Sequence, residues 1–263
     1  MKIFWSFARQ NFHALAAYRF DFFLRASSII ILMYGIRWLW ITLYTQRPGA
    51  FGLSLQQMVT YGVLSMAIQN LFFTGPPYYM ARQVRTGGID LDLLKPLDFH
   101  VYMLARSTGE MLFRVFVLTL PGMLVGFLRF DLQPPANSQA GFLFTVAVLL
   151  GYLVSFHLDF WLGLLAFVSI EIHNIDWAFH ATSRFFSGQF LPVGFFPGLL
   201  GMLADILPFR SIFFIPLSIY NGALGGGEIM QAIGFQLIWL TILWILSRWL
   251  WNRIQRRVVS QGG

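Results

Sequence analysis

Apolar runs constrain this chain before anything else does. About Ala26–Tyr44, Gln57–Thr74, Val101–Leu128, Gly141–Phe167 and Ile229–Leu250 are long stretches with few charges. A helix crosses hydrocarbon with ~20 such residues. In lipid every backbone polar group must be satisfied internally, so helices are the natural form for runs of this kind. The balance of the whole chain agrees: 57% hydrophobic and only 11% charged, against about 25% charged in soluble domains. The expected class is an all-α integral membrane protein.

The formal charge of +7 would suggest nucleic acid in a soluble protein. Here the basic residues flank the apolar runs, where they orient the chain and meet anionic lipid, so no nucleic-acid partner is expected. Lys2, Arg9, Arg19 and Arg25 precede the first run; Arg82, Arg85 and Lys95 follow the second; Arg248, Arg253, Arg256 and Arg257 close the last. The other loops offer mainly Arg47, Arg129 and Arg210. This asymmetry puts both termini and residues 78–100 in the cytoplasm and calls for an even number of spans. The fold expected is six transmembrane helices, with an N-terminal interfacial helix and short re-entrant helices before the last span. Arg9 and Arg19 interrupt the first stretch, so no cleavable signal peptide is expected. There is no cysteine, which removes thiol chemistry and disulfides.

In chain order, Met1–Phe23 reads as an amphipathic helix lying in the interface, with Phe4, Phe7, Leu15, Tyr18 and Phe22 on one face. Arg37, near the far end of the first span, can snorkel outward. Pro48, Gly49 and Gly52 mark a loop, and Gly75-Pro76-Pro77 closes the second span. Arg82–His100 is the only long polar insert between strongly apolar runs, and its charges nearly cancel. Gly87-Gly88 ends any helix arriving from Tyr78. A short amphipathic piece follows, with Ile89, Leu91, Leu93 and Leu94 apolar and Asp90 and Asp92 polar, until Pro96 stops it. The spacing fits two readings equally: a docking element for a soluble partner, or a loop held at the headgroups.

Arg106, Glu110 and Arg114 recur every four residues and suit an ion-pair ladder along one helix. A deep Arg114 facing a polar pathway is the alternative. After Gly141 a long tilted fourth helix is expected, turning near Ser169–Asn174; a turn at His157–Asp159 would bury more charge. His157 and Asp159 do not share a face and suit hydrogen bonds to neighbouring helices. His173, Asp176 and His180 do share one; an interfacial polar face explains them more readily than a metal. Pro192, Pro197, Pro208 and Pro216 cut Ser187–Gly227 into pieces too short to cross, which reads as re-entrant. No Gly-rich phosphate loop ending in Gly-Lys-Ser/Thr occurs, and no His-Glu-x-x-His or Gly-x-Ser-x-Gly. Any work this chain performs is expected to draw its energy from a partner.

Two segments carry a resemblance. RTGGIDLDLLKPLD at Arg85–Asp98 resembles the cytoplasmic segment of permease subunits of the type-2 ABC exporter superfamily, nearest the branch with a basic residue, Gly, Asp, then Leu-Lys/Arg-Pro-Leu. SGQFLPVGFFPGLLGMLADILPFRSIFFIPLSIYNG at Ser187–Gly222 is similar to that family's Ser-Gly…Pro…Pro…Leu-Pro-Phe…Pro…Gly pattern before the last span. The His and Asp residues of spans four and five have no counterpart in the pattern. The resemblance implies a non-enzymatic, multi-pass subunit of the bacterial inner membrane. It would pair with a second permease, identical or sister, and dock on cytoplasmic ABC ATPase subunits. ATP and Mg²⁺ would sit on that ATPase, with no cofactor on this chain. Carried over by position, Arg82, Arg85, Gly88, Asp90, Asp92, Lys95 and Pro96 belong to the coupling element. Ser187, Gly188, Pro192, Pro197, Pro208 and Pro216 belong to an outer gate that shapes backbone. An amphipathic or hydrophobic substrate would move outward by alternating access. Two other readings stand beside this: an ion- or proton-coupled transporter using His157, Asp159 and Glu171, and a membrane enzyme using the polar face of the fifth span.

Overall fold

The computed structural model describes residues 2–16, 19–46, 53–73, 75–168 and 173–257. Tyr18, Pro48, Gly49, Gly52, Ser169 and Glu171, and the side chain of Phe22, lie outside what is described. Among the described residues all regular structure is helical. The helices are α1 (Lys2–Ala16), α2 (Arg19–Gln46), α3 (Leu55–Ile68), α4 (Pro76–Thr86), α5 (Ile89–Leu93), α6 (Phe99–Arg114), α7 (Leu120–Phe130), α8 (Ser138–Leu165), α9 (His173–Phe186), α10 (Gly198–Ile206), α11 (Phe214–Tyr220) and α12 (Gly226–Ile254).

Among the described residues four helical stretches are long and apolar enough to cross a membrane: Leu24–Gln46, Phe99–Phe130, Ser138–Leu165 and Gly226–Ile254. A bent pair, Gly198–Ile206 with Pro208–Tyr220, makes a fifth if taken as one span. These candidates support a multi-pass chain and do not by themselves make up the expected six. The second apolar run and the stretch carrying α9 add no candidate: α3 and α9, as described, are 14 residues each, about 21 Å at 1.5 Å per residue.

Local chemistry explains most boundaries. Ser54 caps α3 in a box with Gln57, Asp98 caps α6 through the amides of His100 and Val101, and Asn137 caps α8. Pro76 opens α4 rather than merely ending the run before it, since the first turn of a helix has no use for the missing donor. The span from α6 to α7 holds one π-helical turn, Val115–Thr119, just ahead of Pro121. A wider turn there accommodates a ring that would otherwise clash with the carbonyl four residues back.

The N-terminal stretch is helical as described, in α1 (Lys2–Ala16) and from Arg19 onward in α2. α1 packs tightly on α6, with Ala8 and Asn11 buried in the contact. Asn11 Nδ2 donates to the Arg106 carbonyl at 2.8 Å. A Cβ on Gly109 would lie 2.0 Å from the Ala8 carbonyl oxygen, so only glycine permits this crossing.

The core runs between α3, α8, α11 and the inner faces of α2 and the α6–α7 span, around Met33, Tyr61, Leu64, Phe72 and Phe213. A second cluster, around Met80, Phe99, Met103, Phe156, Phe160 and Trp251, joins α4 to α6, α8 and α12. The outer faces of α2, α7 and α12 keep apolar side chains such as Ile31, Leu128 and Ile238 exposed, as lipid-facing helices do.

Candidate functional site

The polar insert folds into a braced stub. Gly87, at φ +71, ends α4 in the left-handed conformation, which glycine adopts without strain. α5 then makes barely more than one turn. Its faces depart in part from what its sequence suggests: Ile89 is buried and Asp90 exposed as expected, but one acid turns in and the leucines turn out. Asp92 is 2% exposed, while Leu91 is 69% and Leu94 80% exposed. Asp92 turns inward because α4 and the nearby Lys95 supply its partners. Tyr79 donates to Asp92 Oδ2 at 2.7 Å and Gln83 at 3.0 Å. Lys95 Nζ donates to Oδ1 at 2.6 Å and to the Tyr102 hydroxyl at 2.6 Å. Tyr79 and Tyr102 hydroxyls meet at 3.1 Å, closing a chain Lys95–Tyr102–Tyr79–Asp92. Burial alone would lower the Lys95 pKa, but its hydrogen bonds to Asp92 and Tyr102 hold it above the ordinary lysine value. Burial, with Tyr102 and Asp92 beside it, pushes the Tyr79 phenol up. Of the sequence-derived coupling residues, Arg82, Arg85, Asp90 and Pro96 are exposed, and Gly88 lies against Gln83.

The expected ladder on α6 is split. Glu110 pairs with Arg114, whose Nη1 also donates to the Asn70 carbonyl at 3.0 Å. Arg106 instead lies over the Tyr79 ring, 3.8 Å from its centroid. Asn70 belongs to a single 3₁₀ turn, Gln69–Leu71, where the helical second run unwinds, and Phe73 beyond it has φ +55. Unwound backbone at such depth needs polar partners inside the protein. Arg114 supplies one and Ser155, accepting from the Phe73 amide at 3.1 Å, another.

The histidines bridge helices. His180 Nε2 is 2.9 Å from Asp159 Oδ1 on α8, and its Nδ1 is 3.3 Å from Asp176 Oδ2 on its own helix. With a carboxylate at each nitrogen, both nitrogens must carry hydrogen, so the ring is a cation between two anions. The adjacent Tyr78 phenol on α4 is pushed up to about 12, first by hydrogen bonding with Asp176 and then by burial. His157 meets His100 at 3.3 Å and Ser247 at 3.1 Å. Trp161 donates to the same Ser247 hydroxyl at 2.7 Å. Close by, Arg248 is 2.6 Å from the Asp98 capping carboxylate and so fastens α12 to the start of α6. Among the described residues no group of three or more His, Asp or Glu side chains is arranged to hold a metal.

The proline-rich stretch folds back on itself. Pro192 precedes one 3₁₀ turn and Pro197 precedes α10. Leu207, extended ahead of Pro208, makes a 64° bend between α10 and the stretch running on into α11. Pro216 differs: it sits in the first turn of α11 and interrupts nothing. Ser187 and Gly188 are buried at the base. The Ser187 carbonyl accepts from the Phe214 amide at 2.9 Å, and that of Gly188, at φ +80, accepts from Tyr61 at 2.6 Å. Gln236 of α12 ties the bend to α8 by donating to the carbonyls of Ser211 at 2.8 Å and Ala147 at 2.9 Å. Sequence reasoning passed over Tyr61, Tyr79, Tyr102, Gln189 and Gln236. Their signal was present: lone amides and hydroxyls inside apolar runs seek a partner on another helix.

Apolar helices of spanning length, a broken second run and a proline-bent hairpin are the features of a multi-pass membrane protein. The family model for ABC-2 family transporter proteins matches residues 30–262. The chain belongs to that family: it is a type-2 ABC permease, the membrane part of an ABC transporter. A comparison with curated proteins gave no match.

Proposed function

We propose that this chain is the permease subunit of an ATP-driven exporter, moving an amphipathic or hydrophobic substrate outward by alternating access. Two permeases pair, each carried by a cytoplasmic ABC ATPase that holds the ATP and Mg²⁺. Both termini and the α4–α5 stub lie in the cytoplasm, and the α10–α11 hairpin forms the outer gate. The chain performs no chemistry of its own.

One observation carries the reading: the turned-out face of α5. Leu91 and Leu94 are exposed with Arg85, Asp90 and Pro96 around them, on a stub whose base is fixed by a buried charge network. A short apolar ridge rimmed by both charges suits a groove on a soluble ATPase, and a rigid base lets motion pass through it. The full chain purified from its native membrane should bring down a P-loop ATPase. Leu94→Glu or Asp90→Lys should release that ATPase while the thermal unfolding of the purified chain stays unchanged. Retention of the ATPase by both variants, or gradient-driven flux in liposomes holding this chain alone, would refute the proposal; the second result would favour an ion-coupled transporter.

A further inference from the structure

A cleft opens where α1 crosses the coupling stub and the start of α6. Gln10, Asn11, Tyr79, Lys95, Tyr102 and Arg106 line it. Two cations face it. The Lys95 ammonium is answered by Asp92, at 2.6 Å. The Arg106 guanidinium has the Tyr79 ring at 3.8 Å but, among the described residues, no carboxylate. Glu110, one turn along α6, is taken by Arg114, and Asp98 is taken by Arg248. The cleft thus has one positive charge left over, with amide groups beside it and aromatic rings around it.

Its setting narrows the ligand. The mouth is on the Gln10 side of α1, which is exposed, and Trp5 and Ile3 on the same helix point outward. Tryptophan so placed marks the boundary between headgroups and hydrocarbon. α6, which supplies Tyr102 and Arg106 to the cleft, opens the Phe99–Phe130 stretch of spanning length. We infer that this cleft binds the phosphodiester headgroup of an anionic phospholipid, with Arg106 as its main contact. A phosphodiester carries one negative charge, matching the single unanswered cation; inorganic phosphate and nucleotides carry more. Arginine presents two parallel donors to such a group. The rings of Phe7 and Tyr102, whose centroids are 5.1 Å apart, give the glycerol end an apolar surface. A bound headgroup touches α1 and the coupling stub together, so lipid composition would set how firmly the two are joined. That consequence, and the assignment to the cytoplasmic leaflet, rest on the proposed coupling role; binding itself does not.

The test uses the full chain in nanodiscs of phosphatidylcholine with increasing phosphatidylglycerol, reading retained lipid by native mass spectrometry. One phosphatidylglycerol per chain should be retained, resisting millimolar inorganic phosphate. Arg106→Gln should weaken that retention about tenfold, the loss of one charge-assisted contact. Gln10→Glu, on the exposed lip and remote from the core, should weaken it similarly with unchanged thermal unfolding in phosphatidylcholine alone. Equal retention by wild type and both variants would overturn the site. Equal retention of phosphatidylcholine would overturn its charge preference, and ready displacement by phosphate would reassign it to a soluble anion. If the chain binds phosphatidylglycerol here yet no ATPase, the coupling role alone fails.

Discussion

At the level of single residues, Asp92 and Lys95 look symmetrical in sequence and are not so in the structure. The Asp92 side chain is 3% exposed and that of Lys95 27%. Removing the cation leaves a buried carboxylate with only neutral donors, whereas removing the carboxylate leaves an ammonium that can swing into water. Lys95→Met should therefore cost about 3 kcal/mol, and Asp92→Asn about 1 kcal/mol, read from thermal unfolding in detergent. Equal losses would mean that water reaches Asp92. The pair also has a defined pH range. Because Lys95 titrates above its unfolded value, its contribution is complete below the ordinary lysine pKa and disappears only as alkaline pH passes through the raised one. The sequence pattern singled out this segment as a polar insert with nearly cancelling charges. It could not show which acid turns inward, because that depends on Tyr79 and Gln83, which lie a turn apart on a helix of their own.

Among the elements, helix starts and stops were the most legible feature, since caps and prolines act locally. α4 ending at Gly87, α5 ending near Pro96 and α8 running through His157 and Asp159 all follow from such signals. The unwinding at Gln69–Leu71 was not legible, because its cause is remote: Arg114 and Ser155 satisfy the backbone that a helix would otherwise satisfy for itself. The docking of α1 on α6 was missed for a related reason. Its buried stripe contains Asn11, which a polarity pattern assigns to the outside. Gly109→Ala tests that docking, because the added methyl would meet the Ala8 carbonyl, a backbone atom that cannot rotate away. Hydrogen exchange across α1 should accelerate about tenfold or more, equivalent to ~1.4 kcal/mol of local stability. Gly234→Ala on α12, with nothing within 4 Å of the new Cβ, should leave exchange in α1 unchanged. Unaltered exchange in both variants would show that α1 is held elsewhere.

Across the whole molecule, α8 is the member that touches the polar insert, α9 and the proline hairpin alike. In its middle the backbone at Gly151 approaches the proline hairpin, where a Cβ would lie 2.6 Å from the Ser211 carbonyl. Toward its C-terminal end Gly163 lets α4 in against Met80, at 2.5 Å from the same kind of probe atom. Between them Asp159 reaches His180, and Asp176 passes the link on to Tyr78 of α4. The α4–α5 stub, α9 and the proline hairpin therefore share one neighbour; in the proposed cycle that would let them shift between two packings together rather than through a wire. The spacing of His173, Asp176 and His180 was visible in sequence, but Asp159, 21 residues away from His180, was not a foreseeable partner. The bridge behaves as a unit, and its energetics expose that. His180→Ala would remove the imidazole shared by two carboxylates, 0% and 2% exposed, and leave Asp159 to the more distant field of Arg184, at an expected cost of about 3 kcal/mol. Replacing all three groups by neutral partners, His180→Gln with Asp159→Asn and Asp176→Asn, should recover part of that loss, since neither buried carboxylate then carries a charge that has lost its imidazole. Thermal unfolding of the single and triple variants in the same detergent decides the matter. A triple variant no more stable than His180→Ala would show that the site holds the helices together by shape, and that the charges play no part.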